Sequence, residues 1–359
     1  MLVLASTLAV GGGERVLSRL LVEMHKQGIP VALLCLKGPG PVGQELAAQG
    51  LPVSSLGLSG TRSPRVLLKL LAALRRQRPA VLYLQDHHDC LFWGRLGAAL
   101  VGFLPVLSPV HNSAQGSLRA FRLYNRLVLG LSPCLVTLGA WQEAALSRRE
   151  ALSPGFWVAI PNPLAPLAGK QAAAGESDRG APLILGSVAA LRPEKRQDRL
   201  LELIADLSTR RSLELWLIGD GALREALARQ AADLGIAGRV RFWGQREDVP
   251  ELLAHLDLFI LTSEEEALPL SILEAIRAGV PVAATAKGAI PELLAGGRRG
   301  LLLAGEDPRA WSRQVEDYLE RLPSREELAA WAGEIQARYS LADFTGSYLR
   351  LLRYLGLEA

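Results

Sequence analysis

Residues 258–279 read LFILTSEEEALPLSILEAIRAG, a sequence that predicts a strand, an acidic loop and then a helix. The apolar run Leu258–Leu261 is typical of a parallel strand that helices cover on both faces. Residues 272–279 then carry apolar side chains at helical spacing, and Pro269 suits the first turn of that helix. This stretch therefore predicts a strand–loop–helix unit of an α/β fold with a parallel sheet.

The same alternation extends in both directions along the chain. Further strands are predicted at residues 1–6, 31–36, 79–84, 106–110 and 134–138, and then at 183–189, 213–219, 240–243 and 281–284. Between the two groups, residues 164–182 are rich in Ala, Gly and Pro, which is typical of a linker. We therefore expect two doubly wound Rossmann-like domains, at 1–163 and 183–340, and a last helix at 341–359 that crosses back to the first domain.

Composition favours a globular chain with two cores. The 359 residues are 49% apolar, which is enough to fill both domains. Cys35, Cys90 and Cys134 are widely spaced and form no CxxC pair, which favours reduced cytoplasmic thiols over disulfides, with a catalytic thiol as the minor alternative. No signal peptide is recognisable, and the apolar stretches 96–110 and 127–141 are shorter than the roughly 18–20 residues of a membrane span. We therefore expect a soluble, cytoplasmic chain.

Charge is distributed unevenly. Residues 1–160 hold 16 Lys and Arg against 7 Asp and Glu, whereas the remainder holds 24 against 29. Six of the basic residues lie between Arg62 and Arg78, around apolar residues at helical spacing. This pattern fits either a helix bound to an anionic membrane or a core-facing helix with a solvated basic face. Nucleic acid is a weaker candidate, because aromatic residues are few and no binding motif occurs.

The acidic loop and its helix carry groups that could bind a phosphorylated ligand. Backbone amides near Leu270 and Ser271, at the start of the helix, attract anions such as a diphosphate. Glu266 before the helix and Glu274 within it could accept hydrogen bonds from the hydroxyls of two sugar rings. The two glutamates before Glu266 are better explained as partners of the positive end of the helix dipole.

Two stretches in the first domain allow more than one interpretation. Gly12 and Gly13 lie between the first strand and the first helix, where glycine lets backbone amides approach an anion, but a tight turn explains them equally well. Residues 86–89 read DHHD, which superficially suggests a metal site. Because adjacent histidines on a strand point in different directions, we assign these residues to acceptor binding rather than to a metal.

The spacing of Glu266 and Glu274, with seven residues between them, resembles the E-x7-E signature of glycosyltransferase family 4. Nearly all of the second domain agrees with this family. The agreeing segments are 219–221 (GDG), 240–244 (VRFWG), 257–259 (DLF), 274–275 (EA), 278–283 (AGVPVA) and 287–288 (KG). The first domain resembles the family more weakly, through residues 11–16, His111 and residues 160–162 (IPN).

This resemblance implies a GT-B fold, with two Rossmann-like domains facing each other across a cleft. It also implies a transferase that retains the anomeric configuration and needs no metal ion or other cofactor. By position, Glu266 would hold hydroxyls of the donor sugar, and Glu274 would hold the ribose of the nucleotide. Lys195 would neutralise the diphosphate leaving group, and His111 would lie near the reacting sugar. The substrates would be a nucleotide-sugar donor and a glycan or lipid-linked acceptor.

Three positions depart from the family pattern. Ala190 stands five residues before Lys195, where such proteins usually place an arginine as a second diphosphate contact. Arg192 is the candidate to replace it. Ala267 and Pro163 stand where glycine is usual.

Two alternatives to a transferase remain open at this point. A nucleotide-sugar epimerase can share the two-domain fold, and an inactive descendant that only binds a nucleotide sugar is favoured by Ala190. The basic residues comprise 34 Arg and 6 Lys, which is typical of a GC-rich bacterial genome. Together with the basic first domain, this favours the synthesis of a cell-envelope glycan such as lipopolysaccharide. We expect the nucleotide base near Trp243–Arg246.

Overall fold

The chain forms two compact units. The computed structural model describes residues 1–9, 12–61, 63–85, 88–102, 104–110, 134–150, 157–165 and 181–356. One unit comprises Met1–Pro163 together with Ser340–Ala359, and the other comprises Leu164–Tyr339.

The first unit is built on a parallel sheet with seven strands among its described residues. The strands are β1 (Leu2–Ala5), β2 (Ala32–Cys35), β3 (Val53–Ser55), β4 (Leu82–Leu84), β5 (Val106–Pro109), β6 (Cys134–Thr137) and β7 (Trp157–Ala159). The helices are α1 (Gly12–Lys26), α2 (Gly40–Ala48), α3 (Arg65–Gln77), α4 (His88–Leu100) and α5 (Ala140–Glu150). In the strand order β3-β2-β1-β4-β5-β6-β7 the direction of winding reverses beside β1, where open α/β sheets bind ligands at the carboxyl ends of their strands.

The second unit repeats this plan with six described strands. They are β8 (Leu183–Val188), β9 (Leu213–Ile218), β10 (Val240–Gly244), β11 (Leu258–Leu261), β12 (Val282–Thr285) and β13 (Leu301–Leu303). The helices are α6 (Gln197–Leu207), α7 (Arg224–Asp233), α8 (Val249–Leu253), α9 (Leu270–Arg277), α10 (Ile290–Leu293), α11 (Pro308–Leu319) and α12 (Arg325–Arg338). The order β10-β9-β8-β11-β12-β13 reverses between β8 and β11, so the loops after these two strands flank the expected ligand position.

Both sheets are covered on their two faces, as the continuous apolar runs predict. Each unit has two clusters of buried apolar side chains, and its central strands contribute to both. Leu2 and Leu4 of β1 lie in one cluster of the first unit, whereas Val3 and Ala5 lie in the other. Successive side chains of a strand point to opposite faces, so a strand buried on both sides needs an apolar residue at every position.

Three strands were not predicted from the sequence, and all three lie at sheet edges. They are β3, β7 and β13. Each has three residues and leaves side chains partly accessible, so none carries the long apolar run that marks a central strand. A short, partly polar edge strand is a common protection against unwanted pairing, and it weakens the sequence signal.

The last helix, α13 (Leu341–Tyr354), packs on the first unit. Ser340 caps it, because its hydroxyl accepts a hydrogen bond from the Asp343 amide at 3.1 Å. Phe344, Tyr348 and Leu352 are buried in the same cluster as β1 and α1. The chain therefore builds its second unit between two segments of the first.

Helix α3 packs its apolar face on the core of the first unit. Val66, Leu70 and Leu74 are fully buried in the first unit, packed with residues of β1, β4 and α4. Their apolar area is therefore not available for insertion into a membrane. The exposed face keeps its basic residues and adds Leu68, which is 68% exposed.

The structure also bears on the expectations for the linker, for membrane-spanning helices and for the cysteines. Residues 166–180, most of the predicted linker, lie outside the described residues. Within the described ranges, no helix combines the length and the apolar character needed to span a membrane. The three cysteines are free and buried, and burial raises the pKa of Cys35 and of Cys134 to about 11, so both are protonated thiols at neutral pH.

Candidate functional site

The centre of the candidate site is an ion pair between two residues that lie far apart in the sequence. The Lys195 ammonium donates a hydrogen bond of 2.6 Å to Oε1 of Glu266. The Lys195 side chain is 23% exposed, whereas that of Glu266 is only 8% exposed. A carboxylate buried to this extent requires a charged or hydrogen-bonding partner, and Lys195 supplies one.

Lys195 ends a single 3₁₀ turn, Pro193–Lys195, in the loop that follows β8. Arg196, the next residue, has the left-handed backbone conformation, with φ at 50°. That conformation costs an ordinary L-residue roughly 1–2 kcal/mol. The Arg196 guanidinium forms two hydrogen bonds to Asp198, at 3.0 and 2.9 Å, and this contact raises the pKa of Arg196. The contact helps to hold the strained turn that presents Lys195.

The loop that carries Lys195 is joined to the loop that carries Glu266. The Glu264 amide donates to the Glu194 carbonyl at 2.9 Å, and the Thr262 hydroxyl donates to the Arg196 carbonyl at 3.0 Å. Nη1 of Arg196 also lies 3.7 Å from a carboxylate oxygen of Glu264. The relative position of the two loops is therefore fixed by backbone and side-chain contacts as well as by the central ion pair.

The backbone of Glu266 is held from a third side by the loop after β12. Its carbonyl accepts a hydrogen bond of 3.0 Å from the Ala289 amide. Gly288 has φ at +57°, and a Cβ atom there would lie 2.0 Å from the carbonyl oxygen of Glu266. Glycine is therefore required at 288 by both conformation and space, and the backbone of Glu266 has little freedom to move.

Helix α9 begins directly after the loop that carries Glu266. Pro269 has an extended conformation and lies at the N-cap position, one residue earlier than the first helical turn in which the sequence analysis placed it. Among the described residues no side chain caps the helix. The half-buried Leu270 and Ser271 thus bring free backbone amides and the positive end of the helix dipole to this edge of the sheet.

Glu274 lies one turn into α9 and is half-buried. Arg277, at the end of the helix, is buried and donates to the Ala165 carbonyl at 2.5 Å, which ties α9 to the first residues of the unit. The structure therefore brings Lys195, Glu266 and the start of α9 to the carboxyl ends of β8 and β11, and Glu274 follows on the same helix.

The loop after β9 packs tightly on the loop that precedes Lys195. Gly219 has φ at +136°, and a Cβ atom there would lie 2.1 Å from the Ala189 carbonyl oxygen. A Cβ atom at Gly221 would lie 2.4 Å from the Leu191 carbonyl oxygen. This close approach holds the backbone around Ala190, whose carbonyl accepts hydrogen bonds from the Gln197 side chain and the Arg192 amide.

Arg192, the candidate replacement for the arginine missing at 190, begins the 3₁₀ turn and is exposed. It makes no ion pair with any residue in the part of the chain that the structure describes. Its guanidinium is therefore available for an anionic ligand, three residues before Lys195.

The region expected to receive the nucleotide base contains stacked side chains. The Trp243 ring lies 4.1 Å from the guanidinium carbon of Arg241 and 5.5 Å from that of Arg246. Trp216 packs edge-on against Trp243, with ring centroids 5.0 Å apart. Trp216 is buried in the core of the second unit, and the partly buried Trp243 packs against that core.

A second charged cluster lies beside the Gly288 loop. Glu306 pairs with Lys287 at 2.6 Å and also with Arg199. The hydrogen bonds from Lys287 and Arg199 lower the pKa of the Glu306 carboxyl. This cluster connects the loops after β12 and β13 to α6, and spacing along the sequence gave no signal for it. The same holds for the contacts of Thr262 and Arg196.

In the first unit, α1 begins at Gly12, and Gly12 and Gly13 are its first two residues. A Cβ atom at Gly12 would meet no atom of the described residues within 4 Å. His111, Asp86 and His87 lie outside the described residues. Asp89 begins the first turn of α4 and accepts a hydrogen bond of 2.5 Å from the Thr61 hydroxyl.

Two family models together match most of the chain. Glycosyltransferase Family 4 matches residues 10–165, and Glycosyl transferases group 1 matches residues 172–333. Similar proteins include the lipopolysaccharide core biosynthesis glycosyltransferase LpsE of Rhizobium meliloti, 33% identical over 48% of this chain and 50% of LpsE. The N-acetyl-alpha-D-glucosaminyl L-malate synthase of Bacillus anthracis is 35% identical over 44% of this chain and 40% of that protein. The matched segments thus span about half or less of these relatives.

Solved structures with the same fold cover nearly the whole chain. HepE of Anabaena, solved in complex with UDP, has a TM-score of 0.81 at 18% identity and covers 98% of this chain and 99% of its own. A glycosyltransferase of Rickettsia africae has a TM-score of 0.82 at 15% identity and covers 100% and 99%. At such identities the likeness shows the fold, which is two Rossmann-like domains of the GT-B type. With both domains matched by family models, the chain belongs to glycosyltransferase family 4.

Proposed function

We propose that this protein transfers a sugar from a nucleotide-sugar donor to a glycan or lipid-linked acceptor in the synthesis of a bacterial cell-envelope polysaccharide. The observation that carries the proposal is the Lys195–Glu266 pair beside the uncapped start of α9. A cation, free backbone amides and a buried carboxylate converge there. These are the groups that a diphosphate attached to a sugar requires.

Each group has a proposed role toward the donor. Lys195 and the amides of Leu270 and Ser271 bind the diphosphate, with Arg192 as a second cation in place of the residue missing at 190. Glu274 accepts hydrogen bonds from the ribose hydroxyls, and Glu266 accepts them from the sugar. Gly12 and Gly13 offer backbone amides to an anion, and His111 acts at the reacting sugar.

The proposed chemistry is transfer with retention of anomeric configuration and without a metal ion. As the bond between the anomeric carbon and the phosphate oxygen breaks, negative charge grows on the leaving diphosphate and positive charge on the sugar ring. Preorganised positive groups at the diphosphate stabilise that charge more in the transition state than in the ground state. The acceptor hydroxyl attacks the anomeric carbon from the same face as the departing diphosphate. An oxygen of that diphosphate takes the proton of the hydroxyl.

Relatives support the proposed pathway and donor class. LpsE is named for lipopolysaccharide core biosynthesis, and a structure with a TM-score of 0.77 is that of the lipopolysaccharide outer core galactosyltransferase WaaB. HepE was solved with UDP-glucose as well as with UDP. The basic face of α3 would hold the protein at the anionic inner face of the plasma membrane, where lipid-linked acceptors lie.

A thermal-shift screen of nucleotide sugars tests the proposal. UDP-, GDP- and ADP-sugars and the free nucleoside diphosphates are added separately in EDTA. Binding is detectable because a ligand at 100 times its Kd stabilises the folded state by about 2.7 kcal/mol. We expect one nucleotide class to raise the melting temperature. Absence of any shift would contradict the donor site. An altered sugar on the recovered donor would indicate an epimerase, and binding without transfer to any acceptor would indicate an inactive binding protein.

A further inference from the structure

The Lys195–Glu266 pair joins two groups that both have to bind the donor. The Lys195 ammonium has three N–H donors but one positive charge, so a diphosphate that accepts from it shares that charge with Glu266 and weakens the contact of 2.6 Å. The Glu266 carboxylate has acceptor positions beyond the one that faces Lys195, so hydroxyls of the sugar can compensate it for the weakened contact. Donor binding therefore weakens the contact between Lys195 and Glu266 and adds two others, from Lys195 to the diphosphate and from the sugar to Glu266. A nucleotide that has lost its sugar cannot supply the second of these.

We propose that Glu266 competes with the diphosphate for Lys195, so that the site favours an intact nucleotide sugar over the nucleoside diphosphate product. This inference rests on the proposed function. An intact donor supplies sugar hydroxyls to Glu266 when it takes Lys195, and every group stays paired. A nucleoside diphosphate also takes Lys195 but supplies no hydroxyl, which leaves a buried carboxylate without its partner.

The two side chains differ in their freedom to move. Glu266 is buried, and contacts of its backbone with Ala289 and Gly288 prevent the loop from carrying its carboxylate into water. Lys195 is more accessible and has a long flexible side chain. Lys195 is therefore the partner that moves. A buried carboxylate that loses its charged partner is strongly disfavoured, so Glu266 draws Lys195 back whenever no sugar is present.

The competition has a consequence for turnover. While the sugar is attached, Lys195 is free to neutralise the diphosphate. Once the sugar has moved to the acceptor, Glu266 loses its hydroxyl partners and takes Lys195 away from the product. The nucleoside diphosphate then binds with fewer positive contacts and leaves faster, which limits inhibition by the product.

Glu266→Gln separates this account from a simple binding role. Glutamine keeps the shape of glutamate but not the charge, so it holds Lys195 more weakly. Calorimetric titration with UDP, or with the diphosphate selected by the thermal-shift screen, should show about tenfold tighter binding to the variant, since a charge-assisted hydrogen bond no longer competes. The intact nucleotide sugar should gain nothing. Glu225→Gln removes the same charge from an exposed side chain in the first turn of α7 and should leave both affinities unchanged.

Lys195→Met shows whether the gain depends on the lysine. Loss of negative charge at 266 could also favour a diphosphate by reducing simple repulsion. Comparison of Lys195→Met with Lys195→Met/Glu266→Gln isolates that effect, and the double variant buries no unpaired charge. The proposal predicts that the gain largely disappears without Lys195.

Two results would overturn the competition and leave the proposed function intact. One is an equal gain in diphosphate affinity with Lys195 and with Lys195→Met. The other is no gain from Glu266→Gln in a protein that binds the diphosphate and the sugar nucleotide. Failure of the wild type to bind any nucleotide would overturn both.

Discussion

Lys195 makes the clearest prediction at the scale of single residues. Negative charge on the leaving diphosphate grows in the transition state, so Lys195→Ala should lower turnover more than it weakens donor binding. Loss of one preorganised contact typically costs a factor of about 10²–10³ in turnover. Steady-state rates and calorimetric affinities for the same variant give the comparison. Equal losses in turnover and binding would show that Lys195 only binds the donor.

Arg192 is the control for this result and tests the departure at Ala190. If Arg192 replaces the missing arginine, Arg192→Ala should lower turnover by a factor comparable to that of Lys195→Ala. A nearly silent change would show that Arg192 is a surface residue and that one cation is sufficient. Ala190→Arg adds the missing charge, and a gain of donor hydrolysis from an inactive wild type would favour the inactive binding protein.

Glu274 makes a second prediction at this scale. Its carboxylate lies one turn into α9, and we propose that it accepts hydrogen bonds from the ribose hydroxyls. Glu274→Ala should weaken binding of the nucleoside diphosphate by roughly 1.5–3 kcal/mol, the usual contribution of a hydrogen bond to a charged group. Glu225→Ala, in the exposed first turn of α7, is a matched control. Unchanged affinity in Glu274→Ala would refute the ribose role.

The family resemblance implied roles for single residues of the second unit but not how they contact one another. Lys195 and Glu266 are 71 positions apart, and the motif assigned each to the donor. Their direct contact depends on the order of β8 and β11 in the sheet, which no local pattern encodes. For the same reason the hydrogen bond from Thr262 to Arg196 was not predicted.

At the scale of elements, two glycines allow a controlled test of the loop that holds Glu266. Gly288 and Gly279 both have positive φ, at +57° and +74°. An alanine Cβ at 288 would collide with the backbone of Glu266, whereas at 279 it would meet no atom within 4 Å. Gly279→Ala should therefore destabilise the fold by roughly 1 kcal/mol through its backbone conformation alone.

Gly288→Ala should carry a similar conformational cost and in addition displace Glu266. We expect at least a tenfold loss of affinity for the nucleotide sugar in this variant, measured by calorimetry, and none in Gly279→Ala. Denaturant unfolding of both variants would separate a general loss of stability from a local one. Equal donor affinity in the two variants would contradict the role of this loop in positioning Glu266.

Helix α3 gives the second prediction at this scale. Its apolar stripe is buried, so any attraction to a membrane has to come from its basic face. Co-sedimentation with anionic vesicles should fall steeply as salt rises, because charges are screened over about 8 Å at physiological ionic strength. Replacing Arg75 and Arg76 with Gln should weaken binding by about 1 kcal/mol for each charge. Salt-independent binding, or none, would contradict a peripheral membrane role.

Central and edge strands show how much of the fold the sequence could predict. Leu258–Leu261 and Leu213–Ile218 lie inside a sheet, and their apolar residues, interrupted only by Glu214, marked them clearly. Val53–Ser55 and Leu301–Leu303 lie at edges. Each is recognised as a strand through its pairing with the one neighbouring strand. Burial on both faces favours a longer apolar run, whereas a three-residue edge strand gives a weaker signal.

At the scale of the whole molecule, the two units have different chemical characters. The first 160 residues carry the excess of basic side chains, while the second unit carries the carboxylates and the lysine of the proposed donor site. The resemblance that identified the family was strongest in the second unit, where the motif is short and local. His111 and its surroundings in the first unit lie outside the described residues, so its role at the reacting sugar stays a prediction.

The central claim is a retaining transfer that needs no metal ion. Proton NMR of donor cleavage in EDTA tests it most directly, with the nucleotide sugar that the thermal-shift screen selects and either water or an acceptor glycan. We expect the first-formed product to have the same anomeric configuration as the donor, and we expect EDTA to leave its rate of formation unchanged. An inverted product, or cleavage that stops in EDTA and resumes with Mg²⁺ or Mn²⁺, would contradict it.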